Sequence, residues 1–159
     1  MVDSHIVAIT GIVIKDGKFL MTKRALNKKA FPGKWTVPGG RLEVEDYIHK
    51  KKDTSDHWYH VIEKVLQREV REEVGLTIKN ICYLTSIKFI RGNDPTLILS
   101  FYADYDQGEV VLNEESIDYV WVTLEESRNY ELIEGIYEEL ELVNKILQEK
   151  KDRETKNRS

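Results

Sequence analysis

The run "SHIVAITGIVIKDGKFLMTKRA" constrains the fold more than any other stretch. Asp16-Gly17 stands between two runs of apolar and β-branched residues. An Asp-Gly pair in that setting signals a tight hairpin, because both turn positions need positive φ. Two antiparallel strands joined at Lys15-Asp16-Gly17-Lys18 are therefore expected near the start of the chain. "LTIKNICYLTSIKFI" and "TLILSFYADY" form a second candidate hairpin around Arg91-Gly92-Asn93-Asp94-Pro95, and "DYVWVTL" reads as a short further strand. Leu26 to Trp35 is a loop with Pro32 and Gly33, and Pro38-Gly39-Gly40 is a turn.

Helices alternate with these strands. Thr54-Ser55-Asp56 resembles a helix start with Ser55 or Asp56 as N-cap, and Gly75 is a typical residue just past a helix end, so a helix is expected to run to Val74. Ile133, Ile136, Leu140, Val143 and Leu147 recur at helical spacing in "ELIEGIYEELELVNKIL". The order is strands, helix, strands, helix. With hairpins present, this favours an α+β or α/β architecture with a mixed sheet flanked by helices over a purely parallel sheet. One domain is expected over residues 1–148. From Glu149 the segment "EKKDRETKNRS" has no apolar residue and is expected to be a charged, flexible tail over 149–159.

Of the 159 residues, 41% are hydrophobic and 33% charged, enough to bury one core. The net charge of −4 argues against a partner that is nucleic acid or an anionic membrane, since such binders carry a basic excess. The single cysteine, Cys82, admits no intramolecular disulfide and suits a reducing compartment. The N-terminal stretch has no basic n-region and only a short apolar run, so the cytoplasm is the expected location.

"QREVREEVGL" holds the candidate chemistry. At about 100° per residue, Glu69, Glu72 and Glu73 fall in one sector with Ile62, Val65 and Leu66 of the preceding turns. Lys64, Gln67 and Arg71 lie on the opposite side. The carboxylates therefore continue the inward stripe at the end of the helix, where core gives way to cleft. Three carboxylates aimed together repel, and their charged forms are disfavoured unless a cation is present. A hard divalent cation, Mg²⁺ or Mn²⁺, takes such oxygen ligands. The competing reading is a solvated helix end with Arg68 and Arg71 as ion-pair partners.

These residues resemble the signature of the Nudix hydrolases. Arg68, Glu69, Val70, Arg71, Glu72, Glu73, Val74, Gly75 and Leu76 match its second half without a gap, and "PGGRLEVED" with Gly40 matches its first. A Gly-x-Trp-x-x-Pro-Gly-Gly run, Gly33 to Gly40, precedes it, and the resemblance spans Ile6 to Leu147. Two departures stand out. Asp46 replaces the family's glutamate, and 21 residues rather than seven separate it from Arg68. Most of the excess lies in Tyr47 to His60, an insertion ahead of the helix.

The resemblance implies a sandwich of a mixed sheet between helices. It also implies hydrolysis of nucleoside diphosphates linked to another group, with Mg²⁺ or Mn²⁺. Glu69, Glu72 and Glu73 would be metal ligands, joined by the Gly40 carbonyl, and one of these glutamates or a later one would be the base. Arg68 would brace the loop–helix junction. Glu115, six residues before Trp121, matches the position of a glutamate that many members carry over the metal site; Glu114 is the alternative. The resemblance is also compatible with a homodimer.

Among other residues, Arg24 ends a strand near the expected cleft and is a candidate phosphate contact, as are Gly39 and Gly40 beside the box. Arg91 is a weaker candidate at a hairpin tip. His49-Lys50-Lys51-Lys52 is either a solvated basic loop or a grip on an anionic tail. Trp58, Tyr59, Trp35 and Phe31 are expected to pack rather than to stack on a base. The histidines have no zinc-like spacing, and there is no Walker loop or Gly-x-Gly-x-x-Gly. The first-choice substrate is an NTP or dNTP, including oxidised forms. ADP-ribose or a nucleotide sugar comes second, and a non-catalytic nucleotide-binding module is the rival from another class.

Overall fold

A computed structural model describes residues 3–159; the side chain of Arg91, and with it that residue's candidacy as a phosphate contact, lies outside the described residues. The first hairpin forms as expected. β1 (Ile6–Lys15) and β2 (Lys18–Arg24) meet through Asp16 at φ 50° and Gly17 at φ 73°. Their direct pairing stops at Ile14–Phe19 and Lys15–Lys18. Further from the turn the two strands part. β1 pairs with β4 (Gly39–Arg41) at Ala8–Arg41, Ile9–Gly40 and Thr10–Gly39, while β2 pairs with β3 (Trp35–Thr36) and β7 (Ser116–Val122). Gly11 N–H donates to the Pro38 carbonyl at 2.9 Å. Residues 35–41 therefore wedge open the hairpin, and the opening is where the cleft lies.

β6 (Asp94–Gln107) runs parallel to β1 from Ile6–Thr96 to Ile14–Asp104 and antiparallel to β5 (Thr77–Arg91), making the sheet mixed. Each face carries a helix. Ile9 and Val13 face α1 (Val61–Val74), where Val65, Leu66, Val70 and Val74 are buried. Ile12 and Ile14 face α3 (Ile136–Arg158) through Ile136, Leu140 and Val143. The alternation along β1 is the period-2 pattern of a strand buried on both sides. A Cβ on Gly11 would lie 2.7 Å from Leu66 Cδ1, so the missing side chain lets α1 sit directly on β1.

Four local expectations are corrected. α1 starts at Val61, not at Thr54–Asp56. The Thr54 hydroxyl instead closes a turn, accepting His57 N–H at 3.1 Å and bonding His57 Nδ1 at 2.8 Å, while Asp53 N–H donates to the His57 carbonyl. α3 starts at Ile136 after Gly135, because residues 131–133 bridge to β3 through Trp35 N–H to the Glu131 carbonyl and Ile133 N–H to the Trp35 carbonyl. The charged segment from Glu149 continues α3 to Arg158 rather than forming a flexible tail. Its Lys, Glu and Arg residues are good helix formers, Gln148 bonds Asp152 one turn on, and Lys156 and Arg158 complement the helix C-terminus. Finally, α2 (Leu124–Ser127) was not expected. It is capped by Thr123, whose hydroxyl accepts Glu126 N–H at 3.2 Å while Glu126 Oε2 accepts Thr123 N–H at 2.8 Å.

One buried acid sits on the α3 face. Glu139 Oε1 has no hydrogen-bond partner among the described residues, and the side chain lies against Ser100, which accepts from Thr10. Burial raises its carboxyl above the ordinary range, against the Ser100 hydrogen bond that lowers it. An acid held higher in the folded than in the unfolded chain costs nothing below the unfolded pKa and weakens the fold as pH rises through the window between the two. Glu139→Gln is expected to melt with the wild type at pH 4 and at least ~2 °C above it at pH 8. An unchanged gap between the two pH values in calorimetry would contradict this.

Candidate active site

The last two turns of α1 carry Arg68 to Val74 up against the turn from β3 to β4. The contact is close enough to need glycine. A Cβ on Gly40 would fall 2.2 Å from the Glu69 carboxyl carbon, and one on Gly39 would fall 2.3 Å from the Ile9 carbonyl oxygen. Gly39 N–H donates to Glu73 Oε2 at 3.3 Å. Glu69 and Glu73 therefore point inward, as the helical sector implied. Glu72 is at the rim instead, its side chain 55% exposed and hooked to Arg68.

Arg68 binds three carboxylates. Nε donates to Asp46 Oδ1 at 2.8 Å, one terminal nitrogen to Glu72 Oε2 at 2.9 Å, and the other lies 2.9 Å from Glu69 Oε1. Asp46 ends a single 3₁₀ turn (Val44–Asp46), its side chain is buried, and its second oxygen accepts Glu43 N–H at 2.8 Å. Despite its shorter side chain and the insertion that follows it, Asp46 thus reaches the arginine across 22 positions.

Glu115 reaches the same cleft from the segment before β7. Its N–H donates to Asn113 Oδ1, and Asn113 N–H donates to the Glu73 carbonyl at 3.2 Å, tying this segment to the end of α1. Lys28 Nζ lies 2.6 Å from Glu115 Oε1. Glu114 is exposed and does not line the cleft. Arg24 lines it, oriented by Nε donating to the Ala30 carbonyl at 2.7 Å. The cleft holds about 190 Å³ and is bounded by Arg24, Gly39, Gly40, Glu73 and Glu115, with Thr22 and Thr36 on the β2–β3 side.

The carboxyls divide electrostatically. Burial pushes Glu73 up to about 8, against the Gly39 N–H, with Glu115 and Glu69 adding repulsion. Glu69 is also raised, by burial, with Arg68 opposing. Glu115 is held low by its hydrogen bond to Lys28. The donors around the cleft are oxygens only, and their mutual repulsion is the chemistry a hard divalent cation relieves. Among the described residues no three acidic, His or Cys groups stand close enough to hold a metal ion as they are placed. Arg68 and Lys28 occupy Glu69, Glu72 and Glu115 instead. Glu69, Glu73 and Glu115 with the Gly40 carbonyl would fit such an ion once those cations yield.

Lys28 and Asn113 escaped the sequence reading. The insertion's basic run is exposed, with His49 against Glu45 and Lys52 against Asp56 and the Trp58 ring. Trp35 packs edge-on against Tyr130 in the core, as expected of a structural aromatic.

A mixed sheet between helices, with an Arg-Glu-x-x-Glu-Glu box packed against a Gly-Gly turn, defines a Nudix-type sandwich. A family model for the NUDIX domain matches residues 5–141, and the chain belongs to the Nudix family. It is similar to nucleoside triphosphatase NudI of Klebsiella pneumoniae, with 30% identity over 132 residues, covering 76% of this chain and 84% of the relative. Its fold matches the MutT protein of Methanosarcina mazei Go1 at TM-score 0.65, with 24% identity over 86% of this chain and 91% of that one. It also matches the NUDIX domain of Shewanella oneidensis NrtR, solved with ADP ribose, at TM-score 0.70, with 16% identity over 92% and 90%. The protein is accordingly a hydrolase of phosphoric anhydride bonds, of a family that generally needs a divalent metal. Among the described residues no helix is long and apolar enough to cross a membrane.

The two glycines lead to opposite expectations. Gly40→Ala meets only the end of a side chain, so it should melt within ~3 °C of the wild type yet lose at least ~tenfold in turnover as Glu69 is displaced. Gly39→Ala meets backbone of β1 and should melt well below both. Equal melting of the two variants in calorimetry would refute this division. For Glu73, whose folded pKa is raised, the metal-free fold weakens as pH climbs from the ordinary carboxyl range through about 8. Glu73→Gln should therefore raise the metal-free melting temperature at pH 9 and leave it unchanged at pH 4; a gain of equal size at both would count against a buried, proton-holding Glu73.

Proposed function

We propose that this protein is a cytoplasmic, Mg²⁺-dependent pyrophosphohydrolase of nucleoside triphosphates, with Mn²⁺ as a substitute. The observation that carries the reading is the fit of the box to the Gly-Gly turn that lines the cleft: Glu69 fills the space a Gly40 side chain would take, and Glu73 accepts from Gly39 N–H. Similarity to a nucleoside triphosphatase supports the substrate class. All three glutamates of the Arg-Glu-x-x-Glu-Glu run are present, which favours an enzyme over a binding module.

In this reading Glu69 and Glu73 would hold the metal with the Gly40 carbonyl, Glu72 would join them once released from Arg68, and Glu115 would stand beside them as the base. When bound, the divalent ion neutralises the phosphate oxygens and acidifies the attacking water. Arg24 binds phosphate oxygens from the β2 side, with Gly39 and Gly40 allowing close approach. Glu115, kept ionised by Lys28, takes the proton from the water that attacks phosphorus. The anhydride bond between the α- and β-phosphates breaks, giving a nucleoside monophosphate and pyrophosphate. Arg68 positions the helix residues through Asp46 and does not touch the substrate.

Glu72→Gln tests the assignment. Its exposed position makes the fold insensitive to the change, and turnover of NTPs and dNTPs with Mg²⁺ should fall at least ~hundredfold. A folded Glu72→Gln protein that releases pyrophosphate at nearly the wild-type rate would remove this residue from the mechanism.

A further inference from the structure

The cleft is small for the ligand it must take. Sites that bury a ligand of drug size hold roughly 300–1,000 Å³, against about 190 Å³ here. A second cavity of about 410 Å³ adjoins it, and Arg41 lines both. Ile6 and Val7 at the start of β1, Leu42 and Val44 after β4, and Tyr47 form its apolar walls, with His5 and Glu43 beside them. Arg41 is exposed, and its guanidinium makes no ion pair or hydrogen bond with any described residue. Arg24 and Arg68, by contrast, are both tied down.

Tyr47 is the first residue of the insertion, and the insertion is built around it. Trp58 returns to stand 5.3 Å from the Tyr47 ring, centre to centre. Its Nε1–H donates to the Lys50 carbonyl at 3.0 Å, and Lys50 N–H donates to the Tyr47 carbonyl at 2.8 Å. Asp53 Oδ2 accepts Tyr59 N–H at 2.9 Å, closing the loop behind them. Fourteen residues are thereby folded into a buttress for one aromatic wall.

We propose that this second cavity is a substrate subsite created by the insertion. It takes a nucleoside attached on the far side of the phosphate chain, with Arg41 on phosphate oxygens at the threshold and Tyr47 against the base. The proposal rests on the anhydride-hydrolase reading and extends it to substrates with an organic group at both ends. A triphosphate ends in an anion, which beyond Arg41 would meet aliphatic and aromatic walls and the Glu43 carboxylate. A second nucleoside would match those walls, because a base presents a π-face to tyrosine and a sugar lies well on aliphatic carbons.

The test compares ATP, with one adenosine, and diadenosine tetraphosphate, with two, on wild type, Tyr47→Ala, Tyr47→Phe and Arg41→Gln with Mg²⁺. Tyr47→Ala is expected to raise KM for the dinucleotide about tenfold, the size of one stacking contact, and to leave KM for ATP and both kcat values within about twofold. Tyr47→Phe should restore the wild-type KM, and Arg41→Gln should raise KM for the dinucleotide. Equal effects of Tyr47→Ala on both substrates, or none on either in a protein of unchanged melting temperature, would overturn the subsite. If the folded wild type turns over neither compound, the hydrolase reading fails separately, and calorimetric binding of the dinucleotide decides the subsite. A Kd about tenfold weaker in Tyr47→Ala upholds it; equal Kd values, or no binding to wild type, reject it.

Discussion

The site depends on one guanidinium. Arg68 joins Asp46 at the end of the Gly-Gly segment to Glu69 and Glu72 on α1, and so closes a box that the chain interrupts with a long insertion. Hydrogen bonds between charged groups contribute about 1.5–3 kcal/mol each when well formed. Removing the arginine would leave the buried Asp46 carboxylate with the Glu43 N–H but without a counter-charge. The insertion is tolerated because it leaves the chain after Asp46 and returns before Val61 with its own internal hydrogen bonds, and it meets α1 only at the first turn, where Lys64 donates to the Tyr59 and His60 carbonyls.

The cleft follows from the sheet. The first hairpin pairs only near its turn, and residues 35–41 occupy the space where β1 and β2 separate. That places a glycine turn beside the end of α1, so backbone and carboxylates meet without intervening side chains. The price is an excess of negative charge around a poorly solvated cleft. Two internal cations, Arg68 and Lys28, and a proton on Glu73 offset it. A divalent ion would take over that task, which is why the same residues that strain the metal-free site suit it to phosphate chemistry.

Much of this was legible from local pattern. Asp16-Gly17 between apolar runs determined the first hairpin, Gly75 the end of α1, and the helical sector of Glu69 and Glu73 their inward aim. What the sequence hid is tertiary or very short. Strands of two and three residues, β3 and β4, are below the length at which periodicity registers. Lys28 meets Glu115 across 87 positions, and nothing in its loop marks it. Thr54 had the chemistry of a helix cap but used its hydroxyl on a turn, a choice local sequence leaves open. Thr123 and Glu126 carry the capping signal of α2, a helix of only four residues.

The most direct test of the account is a double-mutant cycle between Asp46 and Arg68, read as kcat/KM for metal-dependent pyrophosphate release. If Asp46 acts through Arg68 to align the box, Asp46→Asn lowers kcat/KM in the wild type but has little further effect once Arg68→Met is present. Penalties that multiply, with Asp46→Asn equally harmful in both backgrounds, would show that the box does not close through this contact and would contradict the account.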